Sequence, residues 1–167
     1  SGNDDIYSWD QTVNPYGRDK IEEYKINTLK PRRYGGTLSW LAADGKDNEQ
    51  TDGIAASEAI KKLDTFAKTE TPFFLAVGFF RPHTPFVAPK KYFDLYDQEK
   101  IVIPEISSDY LATLPEPAVK SIRAKKNQLD LEKELAQEIK EAYYATISFV
   151  DAQVGRILDQ LETNGLD

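Results

Sequence analysis

The sequence predicts an α/β fold, and three observations predict it. An amphipathic segment of helical period is followed by a run with the pattern of a buried strand, and a long helical stripe occupies the last third of the chain. The run is residues 73–80, Phe-Phe-Leu-Ala-Val-Gly-Phe-Phe, continuously apolar with no alternation. That pattern belongs to strands covered on both faces. One buried strand cannot satisfy its own backbone N–H and C=O groups. The remaining sequence offers few convincing neighbours for it, so the α/β unit is expected to be incomplete.

Residues 1–51 show no lasting period. Tyr7, Trp9, Tyr16, Tyr24, Tyr34 and Trp40 are scattered among Gly, Pro, Asn and Asp. This stretch reads as an irregular, aromatic-pinned covering segment, with a short strand near Tyr24–Leu29. So long a structureless stretch is unusual inside a compact domain and suggests a segment lying over a larger body. Residues 52–167 read as the α/β portion. A helix is predicted over 52–68, with Asp52 as N-cap. Ala56, Ile60, Leu63 and Ala67 share one face, and Lys61, Lys62 and Asp64 fall on the other side. Residues 81–89, Arg-Pro-His-Thr-Pro-Phe-Val-Ala-Pro, hold three prolines, which argue against helix and central strand. They read as a rigid loop leaving the C-terminal end of the 73–80 strand, the edge where open α/β sheets bind ligands.

A helical turn is expected over Pro89–Tyr96 and a short extended piece over Ile101–Pro104. Residues 105–130 read as connecting structure. The strongest helix spans 131–164, with Leu135, Ile139, Tyr143, Ile147, Val150, Val154, Ile157 and Leu161 repeating at threes and fours. Gly155 is expected to allow close packing against a neighbour, and Asn164-Gly165 to stop the helix.

The composition narrows the function classes. With 40% hydrophobic and 29% charged residues, the 167-residue chain can bury a core. A net charge of -7 argues against a general nucleic-acid binder, which needs a basic face to displace counterions. The absence of cysteine excludes disulfides, thiolate nucleophiles and cysteine metal sites within the chain. No apolar run approaches the roughly 18 residues of a membrane span. The polar opening Ser1-Gly2-Asn3-Asp4-Asp5 does not read as a signal peptide. With no methionine anywhere, the chain is expected to be a processed or excised piece.

His83 is the only histidine, and it sits in the proline-bounded loop beside Arg81. An imidazole can exchange a proton near neutrality, and an imidazolium can bind an oxyanion. A guanidinium adds a planar fork suited to sulfate, phosphate or carboxylate. The competing reading is structural: His83 caps a turn and Arg81 pairs with a carboxylate. Residues alone leave both open. Asp4-Asp5 reads as a solvated acidic terminus rather than a metal pair, and Asp151 as a buried structural carboxylate. Tyr143 and Tyr144 read as packing, and the Arg123–Lys126 run as a solvated loop.

Residues 72–89, Pro-Phe-Phe-Leu-Ala-Val-Gly-Phe-Phe-Arg-Pro-His-Thr-Pro-Phe-Val-Ala-Pro, resemble the sulfatase segment in which a strand delivers an active-site histidine. The Arg-Pro-His-Thr-Pro-Phe form is similar to the iduronate-2-sulfatase-like branch of that family. Lys91-Tyr92-Phe93-Asp94-Leu95-Tyr96 fits the same branch, as does the run from Ala142 to Arg156, and Asp5-Ile6-Tyr7-Ser8-Trp9 resembles an upstream family stretch. The resemblance covers nearly the whole chain.

It implies that residues 1–167 form part of a single sulfatase catalytic domain of alkaline-phosphatase-like fold. The implied parent activity is hydrolysis of sulfate esters, on a sulfated small molecule or saccharide. His83 falls on the family histidine that contacts the sulfate and helps stabilise or protonate the departing oxygen; Arg81 falls where this branch often places a basic residue near substrate. The resemblance also implies a formylglycine nucleophile, made from Cys or Ser in a Cys/Ser-x-Pro/Ala-x-Arg motif, and a Ca²⁺ ion in the intact enzyme. That motif does not occur in this chain, which is expected to bind neither group and to be inactive alone. A periplasmic or secreted origin follows from the resemblance only. Unpaired strand edges are expected to favour self-association. Two alternatives stand beside this reading: a phosphate or phosphonate ester hydrolase of the same superfamily, and a non-catalytic binding module.

Overall fold

A computed structural model describes residues 5, 7–31, 34–69, 71–107 and 109–166. It is a mixed α/β unit with one small sheet. Strand β1 is Asn27–Thr28, β2 is Ser39–Ala43 and β3 is Phe86–Pro89, in the spatial order β1-β2-β3. β1 pairs antiparallel with β2, and β2 pairs parallel with β3 in the register Trp40 to Phe86 through Ala43 to Pro89. Helix α1 is Arg18–Ile21 and α2 is Thr51–Phe66, so β2, α2 and β3 make a parallel crossover unit. Helix α3 is Lys90–Phe93, α4 is Glu116–Ala124 and α5 is Lys133–Thr163.

Strand alternation decides the two faces of the sheet. Trp40, Phe86 and Ala88 turn to one side and pack on α5 through Ile139, Ala142, Ala145 and Phe149, joined by Tyr92 from α3. Val87 turns to the other side and meets Ile26 and Ala43. Polar contacts fasten α2 to α5 above this core: Arg156 donates to Ser57 Oγ at 2.9 Å, and Gln160 and Asn164 donate to Asp64 Oδ1 at 2.8 and 3.0 Å.

Both long helices lie where the sequence puts them, as does the helical turn after Pro89. The buried strand does not. Residues 73–80 form no strand among the described residues, and Phe74 is 81% exposed. Among the described residues no strand pairs with them, so the ladder that burial would require does not form. Their rings instead take local partners: Phe73 stacks on Phe66, Phe74 on Trp9, and Lys20 lies over Phe80.

The buried strand is β3, inside the segment read as a proline loop. Pro85 precedes it and Pro89 is its last residue, so Phe86, Val87 and Ala88 pair freely. β2 likewise lies within the segment read as irregular, whereas β1 falls inside the expected Tyr24–Leu29 strand. The buried stripe of α5 also differs from the expected one. It runs through Ile139, Ala142, Thr146, Phe149 and Gln153, while Tyr143, Ile147 and Val154 are exposed. Small alanines against Phe86 and Ala88 let the helix approach the sheet closely, and the larger side chains flank the contact. Asp151 is exposed rather than buried, and no atom crowds Gly155.

Candidate active site

His83 sits on an exposed bend three residues ahead of β3. Its backbone N–H donates to Phe80 C=O at 2.9 Å, closing a turn around Arg81 and Pro82. Both X-Pro bonds of the bend, Arg81-Pro82 and Thr84-Pro85, are cis. The bend therefore lies at the N-terminal edge of the β2–β3 pair, not at the C-terminal edge expected from the sequence. The reason is the strand exchange above: β3 follows the loop, and 73–80 is not a strand. A cleft of about 540 Å³ does lie at the opposite edge, between Ala43, Asp44, Lys46, Asp47, Lys90 and Arg156, and His83 takes no part in it.

The imidazole Nδ1 lies 2.6 Å from the carbonyl oxygen of Thr84. A carbonyl only accepts, so Nδ1 carries the hydrogen and donates. Nε2 is then the nitrogen left for chemistry. Neutral, it accepts a proton or hydrogen bond; protonated, it donates to an anionic oxygen. Thr84 is fixed in turn, with Oγ1 donating to Gly35 C=O at 3.0 Å. Gly35 has a φ of +75°, in the left-handed region that glycine enters without strain.

Arg81 is buried, 6% exposed. Its Nη2 pairs with Asp19 Oδ2 at 2.8 Å, and its Nε donates to Val87 C=O at 2.8 Å. Burial lowers the guanidinium's pKa, against the opposing pull of Asp19, Asp52 and Glu23. The structure thus places Arg81 in the packing beneath the bend, while His83 is on its surface.

The sequence did not single out the carboxylates that hold this bend. Asp52 was expected to cap α2, but Gln50 occupies the N-cap position and Asp52 lies inside the first turn. Its two oxygens instead accept the backbone N–H groups of Phe80 and Arg81, each at 2.9 Å. Burial pushes its pKa above the ordinary 3.8, further than the two hydrogen bonds and Arg81 pull it down. Asp19 Oδ1 accepts from Thr51 N at 2.7 Å and from Thr51 Oγ1 at 2.6 Å. Only the pairing of one arginine with a distant aspartate could have signalled this, and the sequence holds too many acidic residues to choose among.

Of the acidic dipeptide, Asp4 lies outside the described residues; exposed Asp5 accepts from Ser8 Oγ and Tyr7 N within its own turn. Among the described residues, no group of three or more His, Cys, Asp or Glu is placed to hold a metal ion. No helix among them is long and apolar enough to cross a membrane.

Comparison with known proteins gives the bend its context. A sequence model of the family described as Sulfatase matches residues 1–167. A protein named sulfatase from Formosa agariphila is 36% identical over 150 residues, covering 83% of this chain and 28% of that protein. Human iduronate 2-sulfatase is 32% identical over 177 residues, covering 95% of this chain and 31% of that protein. An arylsulfatase from Clostridium perfringens is 36% identical over 94 residues, covering 56% of this chain and 19% of that protein. The chain therefore spans less than a third of the length of these relatives. With the family model matched from end to end, and the exposed histidine set in the Arg-Pro-His-Thr-Pro-Phe bend, the chain belongs to the sulfatase family.

Proposed function

We propose that these residues form part of a sulfuric ester hydrolase acting on sulfated small molecules, with sulfated saccharides as the substrate class. The observation that carries this reading is the exposed His83 imidazole, with Nδ1 committed to Thr84 C=O. When protonated, its Nε2 would donate to an oxygen of the sulfate group. As a nucleophile from other residues of the parent enzyme bonds to sulfur and the bond from sulfur to the ester oxygen breaks, the same proton would pass to the departing alkoxide.

The residues of this chain do not fit the other two groups that the family resemblance implies. The formylglycine motif does not occur in the sequence, and the described residues hold no metal cluster. Both would come from other residues of the parent enzyme. The chain alone is accordingly expected to be inactive.

The test is turnover of 4-nitrophenyl sulfate and 4-nitrophenyl phosphate by the longer polypeptide that carries these residues. Sulfate ester turnover should dominate, and His83→Ala should lower it about 10²–10⁴-fold, the usual contribution of a positioned general acid. Preferential phosphate turnover would favour a phosphoester hydrolase. Unchanged sulfate turnover in His83→Ala would remove the histidine from the chemistry.

A further inference from the structure

We propose that Asp19 is a positioning residue for His83, acting through Arg81; the catalytic meaning of this rests on the sulfate-ester reading above. The bend is closed into a ring by hydrogen bonds at both of its ends. Arg81 N–H and Phe80 N–H are held by Asp52, which fixes the entry to the bend. Arg81 Nε bonds Val87 C=O, so the guanidinium reaches from the start of the bend to the middle of β3 and encloses residues 82–86. His83 lies inside that ring.

The remaining freedom is rotation of the guanidinium, and Asp19 removes it by pairing with Nη2. Asp19 is itself held by two bonds from Thr51 at the start of α2. A continuous buried path thus runs from helix α2 through Asp19 and Arg81 to the bend. Its product is the short bond from Nδ1 to Thr84, which leaves Nε2 presented outward. A guanidinium is suited to bridging Val87 C=O and Asp19 because it offers two donors at fixed angles, which a lysine ammonium does not.

The test uses the chain's single histidine as its reporter. Imidazole ¹⁵N chemical shifts in alkaline buffer give the share of the Nδ1–H tautomer, which an unconstrained histidine side chain disfavours. The wild-type chain should show Nδ1–H predominating. Asp19→Asn should keep an acceptor for Thr51, lose the ion pair, and shift the imidazole toward the Nε2–H form. The double variant Asp19→Asn/Arg81→Met removes the charge left buried by the single change. It should regain thermal stability without regaining the Nδ1–H tautomer. Arg81→Lys, which keeps a cation beside Asp19 and should fold, should also lose the tautomer.

Recovery of the tautomer together with stability in the double variant would overturn the proposal, because the pair would then be structural only. So would an Nε2–H imidazole in the wild-type chain, or an unchanged tautomer in Arg81→Lys. Turnover of 4-nitrophenyl sulfate by the longer polypeptide separates the two readings. An Nδ1–H imidazole in the wild-type chain, with sulfate ester turnover by the longer polypeptide unchanged in His83→Ala, counts against the sulfate-ester reading and leaves the positioning result standing.

Discussion

Replacing Asp52 with alanine should destabilise the chain by about 2 kcal/mol at neutral pH, and the figure follows from opposing terms. The carboxylate is the acceptor for the backbone N–H groups of Phe80 and Arg81, and Asp52 is 2% exposed. Orphaning a buried N–H costs about 1–3 kcal/mol. Arg81 N is buried and Phe80 N is part-buried, so the pair together cost about 2–4 kcal/mol. Against this, burial has raised the Asp52 pKa, so removing the carboxylate relieves a desolvation penalty. Arg81 meanwhile loses one of the negative charges that support its cation.

The sign of the pH dependence follows from the same shift. The folded carboxyl titrates above the ordinary 3.8, so its contribution to stability is fully present below 3.8 and is lost as pH rises through the raised folded value. In urea titrations followed by the fluorescence of Trp9 and Trp40, the deficit of Asp52→Ala should be larger below pH 3.8 than at pH 7. Hydrogen exchange should show the amides of Phe80 and Arg81 losing protection. A deficit within about 0.5 kcal/mol, the range of ordinary surface substitutions, together with unchanged protection at both amides, would refute the anchoring argument.

Three further outcomes follow from the packing. Phe149→Ala, which removes a fully buried ring lying 5.4 Å from Tyr92, should cost about 3–5 kcal/mol in the same unfolding assay. Gly53→Ala should destabilise by about 1–3 kcal/mol, because a Cβ there would overlap the backbone carbonyl of Asp47, and this outweighs the better helix propensity of alanine. Asp47 behaves oppositely to Asp52 with pH: burial raises its pKa, but hydrogen bonds from Lys91, Tyr92 and Gln153 outweigh that and leave it below 3.8. Its stabilisation is present above 3.8 and lost as pH falls through the lowered value, so the stability gap between wild type and Asp47→Asn should close in acid.

The helices were legible in the sequence because their signal is local. Leu63 and Ala56 on α2, and Ile139 on α5, announce a buried face through spacing alone. The strands were not legible because strand identity depends on a partner distant in the chain. Phe86–Pro89 becomes a strand by lying beside Ser39–Ala43, although prolines flank it and the segment around its partner shows no period. Residues 73–80 have the better strand composition and form no strand among the described residues, since β-propensity describes a fit to a pleated, partnered surface. The stripe of α5 failed for a related reason: hydrophobicity marked Ile147 and Val154, but the sheet accepts the small Ala142 and Ala145.

The same distinction governs the site. His83 was legible because the two prolines around it fix its setting within a few residues, and the structure leaves its ring exposed on that bend. The residues that aim it were not, because they come from α1 and the start of α2, 62 and 29 positions away from Arg81. An exposed imidazole on an exposed bend would ordinarily sample several orientations. On the proposed path its direction depends on carboxylates buried beneath it, so the orientation of a surface ring would follow from charges in the interior. Asp19 and Asp52 do different parts of that work. Asp52 holds backbone, and its loss should loosen the bend as a whole; Asp19 holds one side chain, and its loss should redirect the imidazole while the backbone anchors at Phe80 and Arg81 persist. Amide exchange at Phe80 and Arg81 should therefore rise in Asp52→Ala and stay near wild type in Asp19→Asn/Arg81→Met, even though both variants release the histidine tautomer. Equal loss of amide protection in the two would mean that the bend responds as one unit, with no separate aiming element.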